Sequence, residues 1–383
     1  MNMNQPETTS CPICDKKIFK ETYSKVHHVW SGGHRTWDTR QVVCKNCGLI
    51  HTNPRPSEDI LTAFYSAYMR YGNVSPYFRE KQIKFLADNI LPENKTLLDI
   101  GAFNGQFIGL AKDKGFKVKG IEPSAEESAK ARSNNLDVSE GYFNLSYVEN
   151  NPEKYDVITI LHVLEHIERP LVFLELALRA SKKGGYIYIE VPDTTQAFAE
   201  NIADFFSIQH LNHFTPGSLR NLASQAGVEI VKIEQESDLW IQRVLIKNTA
   251  PSKRAGILNE FSQNVDLMRF YVERRERFII NLKNRIEVTQ ASLYGAGEHT
   301  SQLISSGVLD GIKILAITDS NPKKWGLKFE GFTIIPPADL PGDAILISSY
   351  DSQEEIAKML EQDFPTLKII KLYSNTRSYD GGI

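Results

Sequence analysis

Four cysteines, all within the first 47 residues, stand as Cys11-Pro-Ile-Cys14 and Cys44-Lys-Asn-Cys47. Two such knuckles bring four thiolates to one point, and four thiolates close a tetrahedron around a structural Zn²⁺. Paired disulfides or a redox dithiol are the other readings. A reducing compartment disfavours disulfides, and a redox pair does not explain two knuckles. A second group begins at Asp99-Ile-Gly101-Ala-Phe-Asn-Gly105, directly after an apolar run, and continues at Glu122. Glycines let a backbone turn tightly around a nucleoside, and an acid at the end of the following strand, about twenty residues on, can accept from ribose hydroxyls. The spacing is not the G-x-G-x-x-G that receives a pyrophosphate at a helix N-terminus, so a shorter cofactor without phosphates is expected. A third group holds imidazoles and a carboxylate, in His162-Val-Leu-Glu165-His166 and in Gln209-His210-Leu-Asn-His213. Imidazole titrates near neutrality and can take a proton from a hydroxyl, an ammonium or an activated C–H.

These residues need elements to position them. A helical pattern over Pro76–Leu91 precedes the glycine loop, and strand-like Phe116–Ile121, Tyr155–Leu161 and Gly185–Val191 then alternate with helical patterns to about residue 250. Such alternation predicts a mostly parallel sheet covered on both faces. Val228–Ile233 and Leu239–Ile246 supply a closing edge hairpin. Ser57 and Thr215 are placed to cap helices. The knuckles are separated by residues 15 to 43, longer than the usual spacer of about 15–20, so this stretch must form its own hairpin or loop. His27, His28, His34 and His51 lie in or beside it and read as surface or substrate-facing.

From Lys253 to Thr289 the chain is helical and charged, with Leu258, Phe261, Val265, Met268, Tyr271 and Phe278 on an apolar stripe. Arg274, Arg275 and Arg277 there read as a solvated face. Ala291-Ser-Leu-Tyr294-Gly295-Ala-Gly297 then begins a second strand, turn and helix, followed by Ile314–Asp319, which ends in acid. This is half a dinucleotide fingerprint. It suits a turn that receives a sugar or diphosphate, or a lobe with no ligand. The expected divisions are a four-cysteine zinc module over 1–56, a cofactor domain over 57–250, a helical connector over 251–290 and a smaller lobe over 291–383.

At 383 residues, two or three domains are expected. Forty-four basic against 47 acidic residues, net charge −3, give no electrostatic footprint for nucleic acid. No apolar run of about 18 residues exists to span a membrane, and residues 1–7 lack the regions of a secretory signal. A cytoplasmic protein with no nucleic-acid or membrane partner is the expectation.

At the Asp99–Gly105 loop, Glu122 and Leu164-Glu-His-Ile167, the chain resembles the class I S-adenosylmethionine-dependent methyltransferases, over roughly residues 75–245. The resemblance implies an α/β, Rossmann-like cofactor domain in which Asp99, Gly101, Ala102, Phe103, Gly105, Glu122, Pro123 and His162 border S-adenosylmethionine. Taken with the cysteine module, which is zinc-ribbon-like, and the C-terminal Rossmann-like lobe, the chain is similar to the bacterial deoxysugar C-methyltransferases and to relatives encoded with surface-polysaccharide enzymes. That similarity implies a nucleotide-linked sugar, or a related small molecule, as acceptor. Those enzymes carry Tyr-x-Glu-His-Leu where this chain has Ser207-Ile-Gln209-His210-Leu211. His210 is then the first choice of general base and His213 the second, with capping or packing as the other role for both. Without the carboxylate at 209 the base is weaker, and C-, O- and N-methylation stay open. Tyr71, in the tyrosine-rich 65–71 segment, either faces the acceptor from a lid or packs a linker helix. The readings from other classes are a non-catalytic nucleotide-sugar-binding protein with a degenerate cofactor lobe, and a zinc-module adaptor.

Overall fold

The computed structural model describes residues 8–30, 34–62, 75–152, 154–196, 205–237, 239–249, 256–349 and 352–373, with the side chains of 28–36 and 298 outside that description. Tyr65, Tyr68 and Tyr71 lie outside the described residues, as do the side chains of His28 and His34.

The central sheet has seven strands. They are β4 (Thr96–Ile100), β5 (Lys117–Glu122), β6 (Val138–Glu140), β7 (Tyr155–Leu161), β8 (Ser181–Pro192), β10 (Glu229–Glu236) and β11 (Ile241–Lys247), in the order β10-β11-β8-β7-β4-β5-β6. Strands β4 to β8 are parallel, and the expected hairpin closes one edge antiparallel. Because strand side chains alternate, Leu98, Ile100, Ile158, Ile160, Ile187 and Ile189 face one apolar layer. Helices α4 (Leu145–Asn150), α5 (Pro170–Ala180) and α6 (Pro216–Gln225) complete it with Val148, Leu174 and Leu222. Leu97, Val157, Tyr188 and Leu245 face the other layer, beneath helix α1 (Pro76–Asn89). Burying each such aliphatic side chain contributes about 1.5–3 kcal/mol. Strand order reverses between β4 and β7, and ligands of open parallel sheets bind outside the strand ends at such a reversal.

The cysteine knuckles sit beside a four-stranded sheet. The long hairpin of β1 (Phe19–Trp30) and β2 (His34–Cys44) fills the spacer as expected, and β3 (Ile50–Thr52) follows it. Its fourth strand comes from far along the chain. The two residues of β9 (Asn212–His213) pair with β3, so the segment carrying His210 is stitched to the N-terminal sheet. His27 and His51 are buried rather than at the surface. His27 Nε2 meets Thr39 Oγ1 at 3.0 Å, and His51 packs edge-on to Phe19.

Helix α7 (Phe261–Arg285) buries Val265, Met268, Tyr271 and Leu282. Leu258 lies before its first turn and is 52% exposed, so the apolar stripe starts later than the periodicity suggests. Arg275 stacks over Tyr23 rather than standing in solvent. Beyond it lies a six-stranded sheet. Its central strands β12 (Gln290–Tyr294), β13 (Lys313–Thr318) and β16 (Ala344–Ile347) are parallel, in the order β13-β12-β16. Strands β14 (Lys328–Phe329) and β15 (Phe332–Ile335) extend it on one side and β17 (Lys368–Lys371) on the other. Among the described residues no helix is long and apolar enough to cross a membrane.

Candidate functional site

The glycine loop leaves β4 at the strand reversal and enters helix α2 (Gln106–Asp113). Gly101 and Gly105 have φ of +79° and +83°, left-handed values that favour glycine. A Cβ on Gly101 would stand 2.5 Å from Val163 Cγ2, and one on Gly105 would stand 2.5 Å from Leu136 Cδ1. The bare backbone thus lets the loops after β4 and β7 touch. The glycines serve the close approach of the protein to itself.

Glu122, at the end of β5, ties the loop down. Its Oε2 accepts from Phe103 N at 2.9 Å and its Oε1 from Ser124 N at 2.8 Å. Burial pushes its carboxyl up, against those two bonds. An ionised carboxylate offers about four lone-pair sites, so each oxygen keeps one for a ribose hydroxyl. That donor set fits the nucleoside part of S-adenosylmethionine. Ala102 packs beneath Gly120, and Pro123 links Glu122 to Ser124, the cap of helix α3 (Ala125–Ser133). Asp99 is buried under the loop and accepts from Thr159 Oγ1. Burial pushes its carboxyl up to about 7, with Thr159 and Arg79 pulling the other way.

Across the reversal, His162 directly follows β7, with φ +54°. Its Nδ1 lies 3.4 Å from Glu165 Oε1 and its Nε2 3.2 Å from Glu190 Oε1. Burial lowers its pKa, but the two carboxylates outweigh that and hold it near 9. Glu165 is buried, yet the surrounding imidazoles bring it down to about 2. His166 Nδ1 meets the Gln209 carbonyl at 3.1 Å, and its ring stands edge-on to His210 with centroids 4.8 Å apart. Burial depresses His166 and takes His210 down to about 3, which leaves His210 a neutral lone-pair donor. Position 209 is glutamine, and a carboxylate near His210 is that of Glu165, whose ligand atom lies within 4.8 Å of an imidazole nitrogen of His210. His213 lies on β9, 2% exposed, against Phe205 and Phe206, and burial holds it well below its ordinary value.

Beneath His162 lies a network that sequence reasoning missed. Glu190 accepts from Arg243 Nε at 2.7 Å and also from Gln82 and Tyr188, while Arg243 reaches Glu236 at 2.9 Å. Arg243 is 1% exposed and Glu190 fully buried. A charge inside each of the largely apolar runs Tyr186–Val191 and Ile241–Ile246 was the available signal.

The cysteines meet as expected. Cys11 Sγ and Cys47 Sγ are 3.5 Å apart, as are Cys14 Sγ and Cys44 Sγ, and all four sulfurs lie within 4.8 Å of one another. Disulfides need about 2.05 Å, whereas the edges of a zinc–thiolate tetrahedron with bonds of about 2.3 Å are close to these separations. Four thiolates fit a closed structural Zn²⁺ site. The second knuckle is anchored by Asn221 and Asn264, whose side-chain amides donate to the Cys47 and Gly48 carbonyls.

Residues 70–233 match the profile of a family described as methyltransferase domain, and residues 288–370 match one described as C2185-like, N-terminal. The chain is similar to the ubiquinone biosynthesis O-methyltransferase of Hydrogenovibrio crunogenus, 30% identical over 112 residues, which cover 28% of this chain and 46% of that protein. The protein of the same name from Aliivibrio fischeri is 31% identical over 121 residues, covering 28% and 50%. The chain thus spans half or less of the length of these curated relatives. A solved S-adenosylmethionine-dependent methyltransferase from Archaeoglobus fulgidus aligns with TM-score 0.39 and 20% identity, over 45% of this chain and 93% of that one. Residues 70–233, which carry most of the α/β sheet and its strand reversal, are thus the part of this chain that is similar to methyltransferase domains.

Proposed function

We propose that the protein transfers a methyl group from S-adenosylmethionine to a small-molecule acceptor, with a nucleotide-linked sugar as the acceptor class and His210 as the residue that readies the nucleophile. One observation carries this reading. The glycine loop tied by Glu122 and the imidazole cluster around Glu165 border the same strand reversal, joined where Val163 packs on Gly101. The cofactor, when bound, supplies an electrophilic methyl on a sulfonium. What this chain supplies is alignment, an anchor for ribose at Glu122 and a neutral imidazole at His210 for the acceptor proton.

The sugar-nucleotide acceptor is supported by the C-terminal sheet. It repeats the tie seen at Glu122, with Ala296 N donating to Asp319 Oδ2 at 2.9 Å across the Gly295 turn. Lys324 sits on the same carboxylate at 2.6 Å, placing a cation beside the turn. Transfer to oxygen is the second reading, favoured by the O-methyltransferase names of the curated relatives. Radiolabelled cofactor incubated with nucleotide sugars and with phenolic acceptors tests both. Label moving only to a phenol would overturn the sugar assignment, and S-adenosylhomocysteine failing to bind would overturn the cofactor site. His210→Ala is expected to abolish turnover while leaving cofactor affinity within about twofold; undiminished single-turnover rates would remove His210 from the chemistry.

A further inference from the structure

We propose that Glu165, His166 and His210 form a binding site for a divalent first-row metal ion, separate from the four-cysteine centre. The inference rests on the methyl-transfer reading for what the ion does there, though not for whether it binds.

The three side chains can each offer one ligand atom, and those atoms lie within 4.8 Å of one another. Glu165 is 1% exposed; His162 stands against its Oε1 at 3.4 Å, and its Oε2 has no hydrogen-bond partner. The nearest imidazole nitrogens stand 3.4 and 4.0 Å from Oε1. Leaving the second oxygen of a buried carboxylate unmatched is costly, and a cation among the three groups removes that cost.

The imidazole at 166 is oriented as a ligand. Its Nδ1–H is directed to the Gln209 carbonyl at 3.1 Å, which leaves the Nε2 lone pair aimed toward Glu165. Metal-binding histidines nearly always donate their other N–H in this way, which fixes tautomer and ring plane. The lone pair and the carboxylate, both electron-rich, then face each other.

The frame is held from outside. Leu211 N donates to the Glu165 carbonyl at 2.8 Å, Thr52 Oγ1 to the His210 carbonyl at 3.2 Å, and Asn212 Nδ2 to the Ile167 carbonyl at 2.7 Å. The two histidines and the glutamate therefore come from segments fixed to each other by backbone bonds, as a preorganised site requires. Metal–ligand bonds of about 2.0–2.2 Å ask the donors to close by an ångström or less, within reach of side-chain rotation.

Two imidazoles and one carboxylate suit Mn²⁺, Fe²⁺ or Zn²⁺ better than a thiolate-seeking ion. Three protein ligands leave positions open. An acceptor hydroxyl bound at one of them ionises more readily, its proton passing to solvent and its oxygen left as the nucleophile. With the ion bound, His210 serves as its ligand instead of taking the acceptor proton itself, and the chemistry favours the second reading above, transfer to oxygen.

The test is titration of the full chain, its cysteine centre filled with zinc, with manganese(II) chloride. Calorimetry and the electron paramagnetic resonance of free Mn²⁺ report binding, and S-adenosylhomocysteine affinity is measured in parallel. One Mn²⁺ per chain is expected, with affinity at least tenfold weaker in Glu165→Gln and lost in a His166→Ala, His210→Ala double variant. Wild-type protein that takes up neither Mn²⁺ nor a second Zn²⁺ overturns the proposal, as does binding undiminished in the variants. The wild-type stoichiometry decides even if a variant fails to fold. Intact S-adenosylhomocysteine binding without metal uptake defeats the metal site alone, whereas lost S-adenosylhomocysteine binding defeats the methyl-transfer reading.

Discussion

Replacing Glu122 by glutamine separates its two duties. The carboxylate accepts backbone N–H bonds at 2.8 and 2.9 Å, one from each of the loops that border the proposed cofactor site. Glutamine keeps one acceptor oxygen, and its NH2 must face one of those N–H groups, donor against donor. Hydrogen bonds to a charged group contribute about 1.5–3 kcal/mol each. Removing the charge also relieves the burial that pushes this carboxyl up, so the net loss of folding stability is expected near 1–2 kcal/mol. Cofactor affinity should suffer more, because the ribose loses its charged acceptor while the loop that carries Phe103 loosens. A loss of about 2–3 kcal/mol corresponds to roughly 30- to 150-fold in Kd. Calorimetry with S-adenosylhomocysteine measures the second effect and urea denaturation without ligand the first. A variant that is destabilised yet binds S-adenosylhomocysteine within twofold of wild type would refute the ribose role and leave Glu122 a loop tie only.

Other perturbations follow from the same geometry. Cys47→Ser should cost the protein its zinc, measured by atomic absorption, and lower its melting temperature by about 10 °C or more. It should also disturb the His210 segment, because the second knuckle leads through β3 to β9; unchanged zinc content would sink the four-thiolate assignment. Arg243→Met leaves the buried Glu190 with His162 in place of its guanidinium partner and should cost about 3 kcal/mol in chemical denaturation. Adding Glu190→Gln should recover much of this loss, and a purely additive double variant would contradict the pairing. Asp99, pushed up to about 7 from 3.8, keeps a proton in the folded state that the unfolded chain has already released. Its contribution to stability is therefore greatest at acid pH and declines as pH rises through about 7. Relative to Asp99→Asn, the wild type should lose about 3 kcal/mol between about pH 5 and pH 7.5; parallel stability profiles would show that Asp99 does not titrate in this way.

The sequence was legible where local chemistry sets the outcome. Cys11, Cys14, Cys44 and Cys47 announce one centre because paired thiolate knuckles have few other uses, and their sulfurs do converge. The apolar runs and their helical spacers fix a parallel sheet with its edge hairpin, and Thr215 caps α6 in a reciprocal capping box with Ser218. Gly101 and Gly105 were recognisable as turn residues, although the atoms they make room for, on Val163 and Leu136, were not.

What the sequence left undecided depends on contacts between residues far apart in the chain. His51 and His27 look polar enough for a surface, and sheet packing buries them. Glu165 and His210 are 45 positions apart by number, and the bond from Leu211 N to the Glu165 carbonyl, with the pairing of β3 and β9, sets the second beside the first. Glu190 and Arg243 become partners because β8 and β11 align them in register. Local propensity and spacing act within a few residues, so they determine the elements and the cysteine centre. Electrostatic fields and hydrogen bonds act through space, so only the tertiary structure could decide which imidazole stands next to which carboxylate.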